Sequence, residues 1–380
     1  MASDESYAEL HAFASRIGIP GRGFDRDHYD VPAVLYDDVV AAGAQPVTSR
    51  ELVSRLSAAG MRRRKATHLG RRAPGQPLLA PRRLRRGDRV AVVAPAGPVA
   101  PDALERGVAV LASWGLDVRI GAHVFAGCDS PHLAATDEQR AADLQSAWCD
   151  PQIAAVVCAR GGYGCQRIVD LLDWPALMAA GPSVLVGFSD VTALHQAFAS
   201  VLGVVTVHGP VATSLGAGDE ASRDHLRRTL FDPRSALDLL EGAPVRTVVA
   251  GAASGVLVGG NLTVLAADAG TSTSRPAARG IVVLEDASEA PYRVDRLLTQ
   301  LLRAGWFDGV RGIALGCFPG CDPAAAVQSV VGDRLGDLGV PVLAGLPVGH
   351  AGTNLTVALG SPVRLDADAG ELVLSRPALC

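Results

Sequence analysis

The chain lacks several features that would each have narrowed its class. None of its 380 residues falls in a stretch of ~18 unbroken apolar positions, the length that spans a bilayer, because Ala, Val and Leu come in short runs. A membrane span is therefore not expected. Met1 to Glu9 is acidic and polar, without the basic segment and apolar stretch of a secretory signal, so the protein is expected to stay in the cytoplasm. A disulfide framework is also missing. Seven cysteines, an odd number scattered through a long chain, suit a reducing compartment as free thiols. Cys317 and Cys321 have no second Cys/His pair nearby at zinc-ligand spacing, so no metal is expected there, and no motif calls for another cofactor. Aromatic residues make up 4% of the chain, and none interleaves the basic tract at residues 62–89. That counts against a platform for single-stranded nucleic acid.

What is present is a globular composition, 48% hydrophobic and 19% charged, long enough for two or three domains of ~100–200 residues. The net charge of -4 conceals an asymmetry: 11 Lys or Arg against one acidic residue between Arg62 and Arg89 leaves 24 basic and 38 acidic residues elsewhere. Arg62-Arg63-Arg64-Lys65 carries the charge to touch a polyanion, yet a tract between domains is more often a solvated connector. Residues 1–65 form a small unit of short helices. Tyr7–Ala14 has helical spacing, and Ser49 is the expected cap of a helix through Leu56. Between them, His28 and Asp30 in Asp27-His28-Tyr29-Asp30-Val31-Pro32 are either a site or a turn ordered by Pro32, with the turn favoured. Residues 66–86 are rich in Arg, Pro and Gly and read as a linker.

From Gly87 the pattern changes. Arg89–Ala94 is a short apolar strand ended by Pro95 and Gly97, and Ala100–Gly115 has helical spacing. Further buried-strand candidates at Ala154–Cys158 and Ser183–Val186 each lead into a helical segment. Strands alternating with helices imply a parallel sheet covered on both faces, here a Rossmann-like domain over 87–218. A connector over 219–244 leads to a second α/β domain over 245–380, with strands at Val256–Val258, Gly280–Leu284 and Gly312–Gly316.

Chemistry-bearing residues fall at strand ends. Val184–His195 reads as strand, Gly-Phe-Ser-Asp turn and helix, where a serine projects its hydroxyl above the sheet beside the N-H groups of a helix start. Ser189 is there a nucleophile candidate, although a Ser-Asp pair at such a turn is more often an N-cap. The neighbouring turn, Arg160-Gly161-Gly162-Tyr163-Gly164, lets backbone approach a substrate closely. The N-H groups of Gly161 and Gly162 could join that of Asp190 in holding an oxyanion, or the glycines simply make a turn. Glu285 and Asp286 follow a buried strand, where an acid needs a partner, unless they form a surface loop. His350 lies in a glycine-rich loop, where it can serve as a base near neutral pH or stay solvated and idle.

The ordered set is more specific than its members. Val93-Ala94-Pro95-Ala96-Gly97, Arg160-Gly161-Gly162-Tyr163-Gly164, Gly187-Phe188-Ser189-Asp190, His208-Gly209-Pro210, Gly259-Gly260-Asn261-Leu262, Leu284-Glu285-Asp286 and Gly349-His350 occur in this order over residues 87–380. That region resembles the LD-carboxypeptidases, also called muramoyltetrapeptide carboxypeptidases. The resemblance implies Ser189 as nucleophile, His350 as general base and Glu285 as orienting carboxylate, with a cleft between domains as the site. It implies a muropeptide substrate losing a terminal D-alanine in peptidoglycan recycling, and a homodimer. The substrate carboxylate needs a cation; Arg160 and Arg296, with Tyr163 beside them, are candidates by motif proximity. A related branch hydrolyses microcin-type peptidyl nucleotides. The short connection Gly270–Gly280 and the second acid Glu289 before Tyr292 look more like the muropeptide branch. A non-catalytic module whose residues 5–86 bind nucleic acid is the alternative of a different class, and nucleic acid is the less expected partner. Residues 5–65 resemble a small actinobacterial domain of unknown function that normally begins with a strand upstream of Met1, so a truncated copy is expected.

Overall fold

The structure is a computed structural model that describes residues 1–3, 5–21, 24–25, 28–29, 31–59 and 74–380. Asp27, Asp30, Arg62–Lys65 and the first part of the expected linker lie outside these residues. The chain divides into two units, Met1–Ala66 and Thr67–Cys380. In the first, the helix Tyr7–Arg16 starts at Ser6, whose hydroxyl accepts from Glu9 N at 3.1 Å. Its Leu10 and Ala14 join Ile19, Tyr29 and Val39 in a small core. Strand β1 (Phe24–Asp25) pairs antiparallel with β2 (His28–Tyr29), and the Tyr29 hydroxyl meets His11 Nδ1 at 2.8 Å. The expected cap of the helix Ser49–Ala58 is corrected by one residue: Thr48 accepts from Glu51 N at 3.2 Å. Ser49 already lies inside the helix, and a cap must precede the first helical residue.

The second unit holds two sheets. The first comprises β3 (Arg89–Val93), β4 (Asp117–Ile120), β5 (Ile153–Cys158), β6 (Val184–Gly187) and β7 (Thr206–His208). Five strands of the second follow: β8 (Arg246–Val249), β9 (Ala252–Asn261), β10 (Gly280–Glu285), β11 (Gly312–Leu315) and β12 (Val342–Ala344). Then β13 (Val357–Leu359) returns to the first sheet, and β14 (Pro362–Asp366) and β15 (Glu371–Leu374) complete the second. The orders are β13-β7-β6-β5-β3-β4 and β15-β14-β9-β10-β11-β12-β8. All six residues of β5 and of β10 are buried, as unbroken apolar strands require when both faces are covered.

The first sheet is parallel from β4 to β7, as its strand–helix alternation implied, but β13 adds an antiparallel edge strand from far along the chain. One apolar cluster runs through both sheets, from Val90, Val157 and Val186 to Leu257, Ile281 and Val363. This shared core fixes the carboxyl ends of β5, β6 and β10 relative to one another. Within residues 219–244 the chain forms a 12-residue helix, Glu220–Phe231, capped by Asp219. Its His225 Nδ1 accepts from Thr356 N at 2.9 Å, beside β13.

Gly259 of β9 has φ +116°, and a Cβ there would lie 2.0 Å from Val283 O of the neighbouring strand. Gly332, in the helix Ala324–Leu335, has nothing within 4 Å of an added Cβ. Gly259→Ala should therefore lose about 2–3 kcal/mol, whereas Gly332→Ala should gain about 0.5–1 kcal/mol. Urea midpoints that move equally for both would contradict this strand packing.

Candidate active site

The nucleophile candidate sits on a strained turn. β6 ends at Gly187, Phe188 is extended, and Ser189, with φ +65°, opens the 3-10 turn Ser189–Val191 that enters the helix Thr192–Ala197. A residue with a Cβ pays a steric cost in this left-handed region, and the geometry turns Oγ out of the sheet edge. Space for it comes from the adjacent turn: a Cβ on Gly161 would stand 2.8 Å from Ser189 Cβ and 3.1 Å from Oγ. The Asp190 carboxylate accepts from Cys165 N at 2.7 Å, tying the two turns together. Burial pushes the Asp190 pKa up, only partly offset by the Cys165 bonds and the charge of Arg140.

Glu285 ends β10 with zero exposure. Its Oε2 accepts from His350 Nδ1 at 2.6 Å, and His350 Nε2 lies 3.0 Å from Ser189 Oγ. A carboxylate accepts only, so Nδ1 carries the proton and Nε2 is left to receive the serine hydroxyl's hydrogen. Gly349, before the histidine, allows this approach, since a Cβ there would come 2.5 Å from Glu285 Oε2. The Phe188 ring lies 4.9 Å from the His350 ring, centroid to centroid. Burial alone would depress the His350 pKa. The Glu285 hydrogen bond and the charges of Glu285 and Asp286 outweigh it, and the net shift is upward from 6.5.

The structure thus brings Ser189, Glu285 and His350 into one hydrogen-bonded chain, with Gly161 and Asp190 against the serine and Gly162 exposed on the same turn. Arg160 is exposed, with Nη1 donating to Pro98 O at 2.8 Å. Tyr163 is exposed one residue beyond Gly162. Arg296 lies elsewhere, on the helix Pro291–Arg303, with its guanidinium 5.4 Å from the centre of the exposed Tyr292 ring. No hydrogen bond or ion pair among the described residues links it to Ser189, Glu285 or His350.

Several supporting residues were not singled out by sequence reasoning. Buried Arg140 donates to Pro95 O and Gly164 O, the latter at 2.9 Å, stitching together the turns after β3 and β5. Thr192 Oγ1 accepts from Asn261 N at 3.0 Å, joining the helix after Ser189 to the second sheet. Asp286 accepts from Asn261 Nδ2 at 3.1 Å and from Thr263 N and Oγ1 at 2.9 and 2.7 Å, so this acid anchors a helix start. The loop after His350 is held by the helix Glu220–Phe231. Thr353 Oγ1 donates to its cap Asp219, and Asn354 N donates to Ser222 Oγ at 2.8 Å. Asp219 three residues before Ser222 was a readable cap signal, but nothing in the sequence tied it to a loop 130 residues on. His195 Nε2 holds Gly187 O at 2.8 Å; burial pushes its pKa down to about 4, so it stays neutral. All seven cysteines are free thiols.

Residues 90–209 match the family described as LD-carboxypeptidase N-terminal domain, and residues 254–365 match LD-carboxypeptidase C-terminal domain. Residues 1–59 match a family described as a protein of unknown function. A Streptomyces coelicolor protein, named as a candidate carboxypeptidase, is 53% identical over 80% of this chain and 98% of its own length. The murein tetrapeptide carboxypeptidase of Pseudomonas aeruginosa is 38% identical over 74% of this chain and 94% of its own. Among solved structures, the microcin C7 self-immunity protein MccF is similar in fold, with a TM-score of 0.71 at 21% identity over 80% of this chain and 100% of that one.

A raised His350 pKa means that its charged pair with Glu285 stabilises the fold fully below the unfolded value of about 6.5 and is lost as pH rises through the folded value. Observed by NMR, the His350 ring should titrate above 6.5, and Glu285→Gln should move that titration downward. A native value at or below 6.5, or one indifferent to Glu285→Gln, would contradict the pairing.

Proposed function

As the chain belongs to the LD-carboxypeptidase family, and is in that sense a peptidase, we propose that it works as a serine-type enzyme removing the terminal D-alanine of a muropeptide tetrapeptide. The observation that carries this reading is the continuous chain Ser189 Oγ, His350 Nε2, His350 Nδ1, Glu285 Oε2 at 3.0 and 2.6 Å. His350 takes the Ser189 proton as Oγ attacks the carbonyl carbon of the amide between an L-centre and the D-residue. The resulting oxyanion faces the N-H groups of Asp190 and of the Gly161-Gly162 turn. As the intermediate collapses, His350 passes the proton to the leaving nitrogen and D-alanine departs with its amine intact. Water then gives a proton to His350, attacks the ester carbon and frees the shortened peptide as a carboxylate, while Ser189 regains its hydrogen. Glu285 holds the imidazole in the useful tautomer and stabilises its charged form.

Peptidoglycan recycling in the cytoplasm is the setting this reading favours. Seven free thiols support it, and no helix among the described residues is long and apolar enough to cross a membrane. The name of the Pseudomonas aeruginosa relative supports the muropeptide over a peptidyl nucleotide, since likeness to the microcin self-immunity protein at 21% identity concerns the fold alone. A binding module would leave the three-residue chain without a use.

Incubation with a muramoyl tetrapeptide should release D-alanine, detected by mass spectrometry. Ser189→Ala should lower kcat by about a thousandfold or more, and D-alanine release at the native rate by that variant would sink the nucleophile assignment. Because His350 must be neutral to act as base, kcat/KM should rise with pH through a value above 6.5. In Glu285→Gln that limb should move to lower pH while the plateau falls.

A further inference from the structure

A carboxypeptidase differs from an endopeptidase by recognising the free carboxylate beyond the bond it cuts, and that recognition requires a cation with unused donors. Arg160 meets the requirement. A guanidinium carries five N-H donors in a planar fork, and among the described residues that of Arg160 makes one hydrogen bond, from Nη1 to Pro98 O at 2.8 Å. The residue as a whole is exposed. The other arginines on this edge of the sheet are engaged: Arg140 is buried on Pro95 O, Gly164 O and Asp137, and Arg167 chelates Asp137 at 2.7–3.0 Å.

The position of Arg160 follows from two glycine contacts. A Cβ on Gly97 would lie 3.0 Å from Gly161 O and 3.7 Å from Arg160 Nη1, and Gly97 N donates to that same Gly161 O at 3.1 Å. On its other side Gly161 packs against Ser189, as a Cβ there would stand 3.1 Å from Oγ. The guanidinium and the hydroxyl therefore flank one pair of touching glycine turns. In a peptide whose penultimate carbonyl is at Ser189, the terminal carboxylate carbon lies about 4 Å further along the chain, so a cation that binds it must stand close to the serine turn. The Pro98 bond holds the fork in place beforehand, so little rotamer freedom remains to be lost on binding.

Resting on the peptidase reading above, the geometry points to Arg160 as the residue that binds the substrate's terminal carboxylate and so determines exopeptidase specificity. Arg296, the second cation suggested by motif proximity, instead has its guanidinium 5.4 Å from the centre of the Tyr292 ring. The competing role for Arg160 is bracing of the turn through Pro98, and it makes a different prediction.

The test compares a tetrapeptide ending in D-alanine with its C-terminal amide, using the full chain. For Arg160→Gln, KM for the free acid should rise about ten- to a hundredfold with a smaller change in kcat, so that the acid-to-amide ratio of kcat/KM collapses toward one. Arg160→Lys, which keeps the charge but not the fork, should recover part of that ratio. Equal losses on acid and amide would mean that Arg160 only braces the turn, and would overturn the proposal. Calorimetric binding of both peptides on a Ser189→Ala background separates this from the peptidase reading, because it needs no turnover. There Arg160→Gln should weaken the acid by about tenfold or more and leave the amide unmoved, whereas an unchanged Kd for the acid, or no preference for acid over amide before the substitution, overturns the assignment whatever the hydrolysis assay gives.

Discussion

A carboxylate withdrawn completely from water is costly unless a donor meets it, and for Glu285 that donor is the Nδ1-H of His350 at 2.6 Å. The bond joins the end of β10 to a loop 65 residues further on. It also settles which imidazole nitrogen carries the proton, leaving the other to face Ser189. Orientation, tautomer and basicity of the histidine are thus consequences of one buried contact. The glycine before His350 is needed for the same reason, since any side chain there would collide with the acceptor oxygen.

The loop must in turn be held from outside the carboxylate. Helix Glu220–Phe231 does this through its cap and first turn, with Asp219 and Ser222 accepting from Thr353 and Asn354. The side chain of Asn354 then accepts from Gly349 N at 2.9 Å, directly before the histidine. On the serine side, Asn261 N reaches Thr192 Oγ1 and binds the second sheet to the helix that follows Ser189. Hydrogen bonds of this kind are worth about 1 kcal/mol each, too little to assemble two lobes. They set register once the common apolar core has brought both sheets together. Ser189 stays in its left-handed conformation because its surroundings leave no alternative, a pattern typical of sites where strain serves position.

Much of this was legible in the residues. Unbroken apolar runs gave β5, β6 and β10, since a strand buried on both faces admits no polar alternation, and the Gly-Phe-Ser-Asp turn marked the serine. The Glu285-Asp286 pair was legible only as a place needing partners. The structure divides it into an acid that meets the histidine and an acid that anchors the helix start at Thr263. Arg140 was not legible, because an arginine in the first turn of a helix looks the same in sequence whether it is solvated or holds two turns together. Nor was the Glu220–Phe231 helix as a support for the His350 loop, since its partners lie more than 130 residues away.

The sequence by itself determined the local geometry: which segments are strands, where glycines allow close approach, where an acid, a base and a hydroxyl stand at strand ends. These depend on sterics and burial within a few residues, and so are written in short patterns. Only the tertiary structure decided which of those groups meet, that β13 would leave its neighbours to pair with β7, and that Arg160 rather than Arg296 would stand beside the Ser189 turn. Such choices depend on how two sheets share one core, a property of contacts distant in the chain that no short pattern carries.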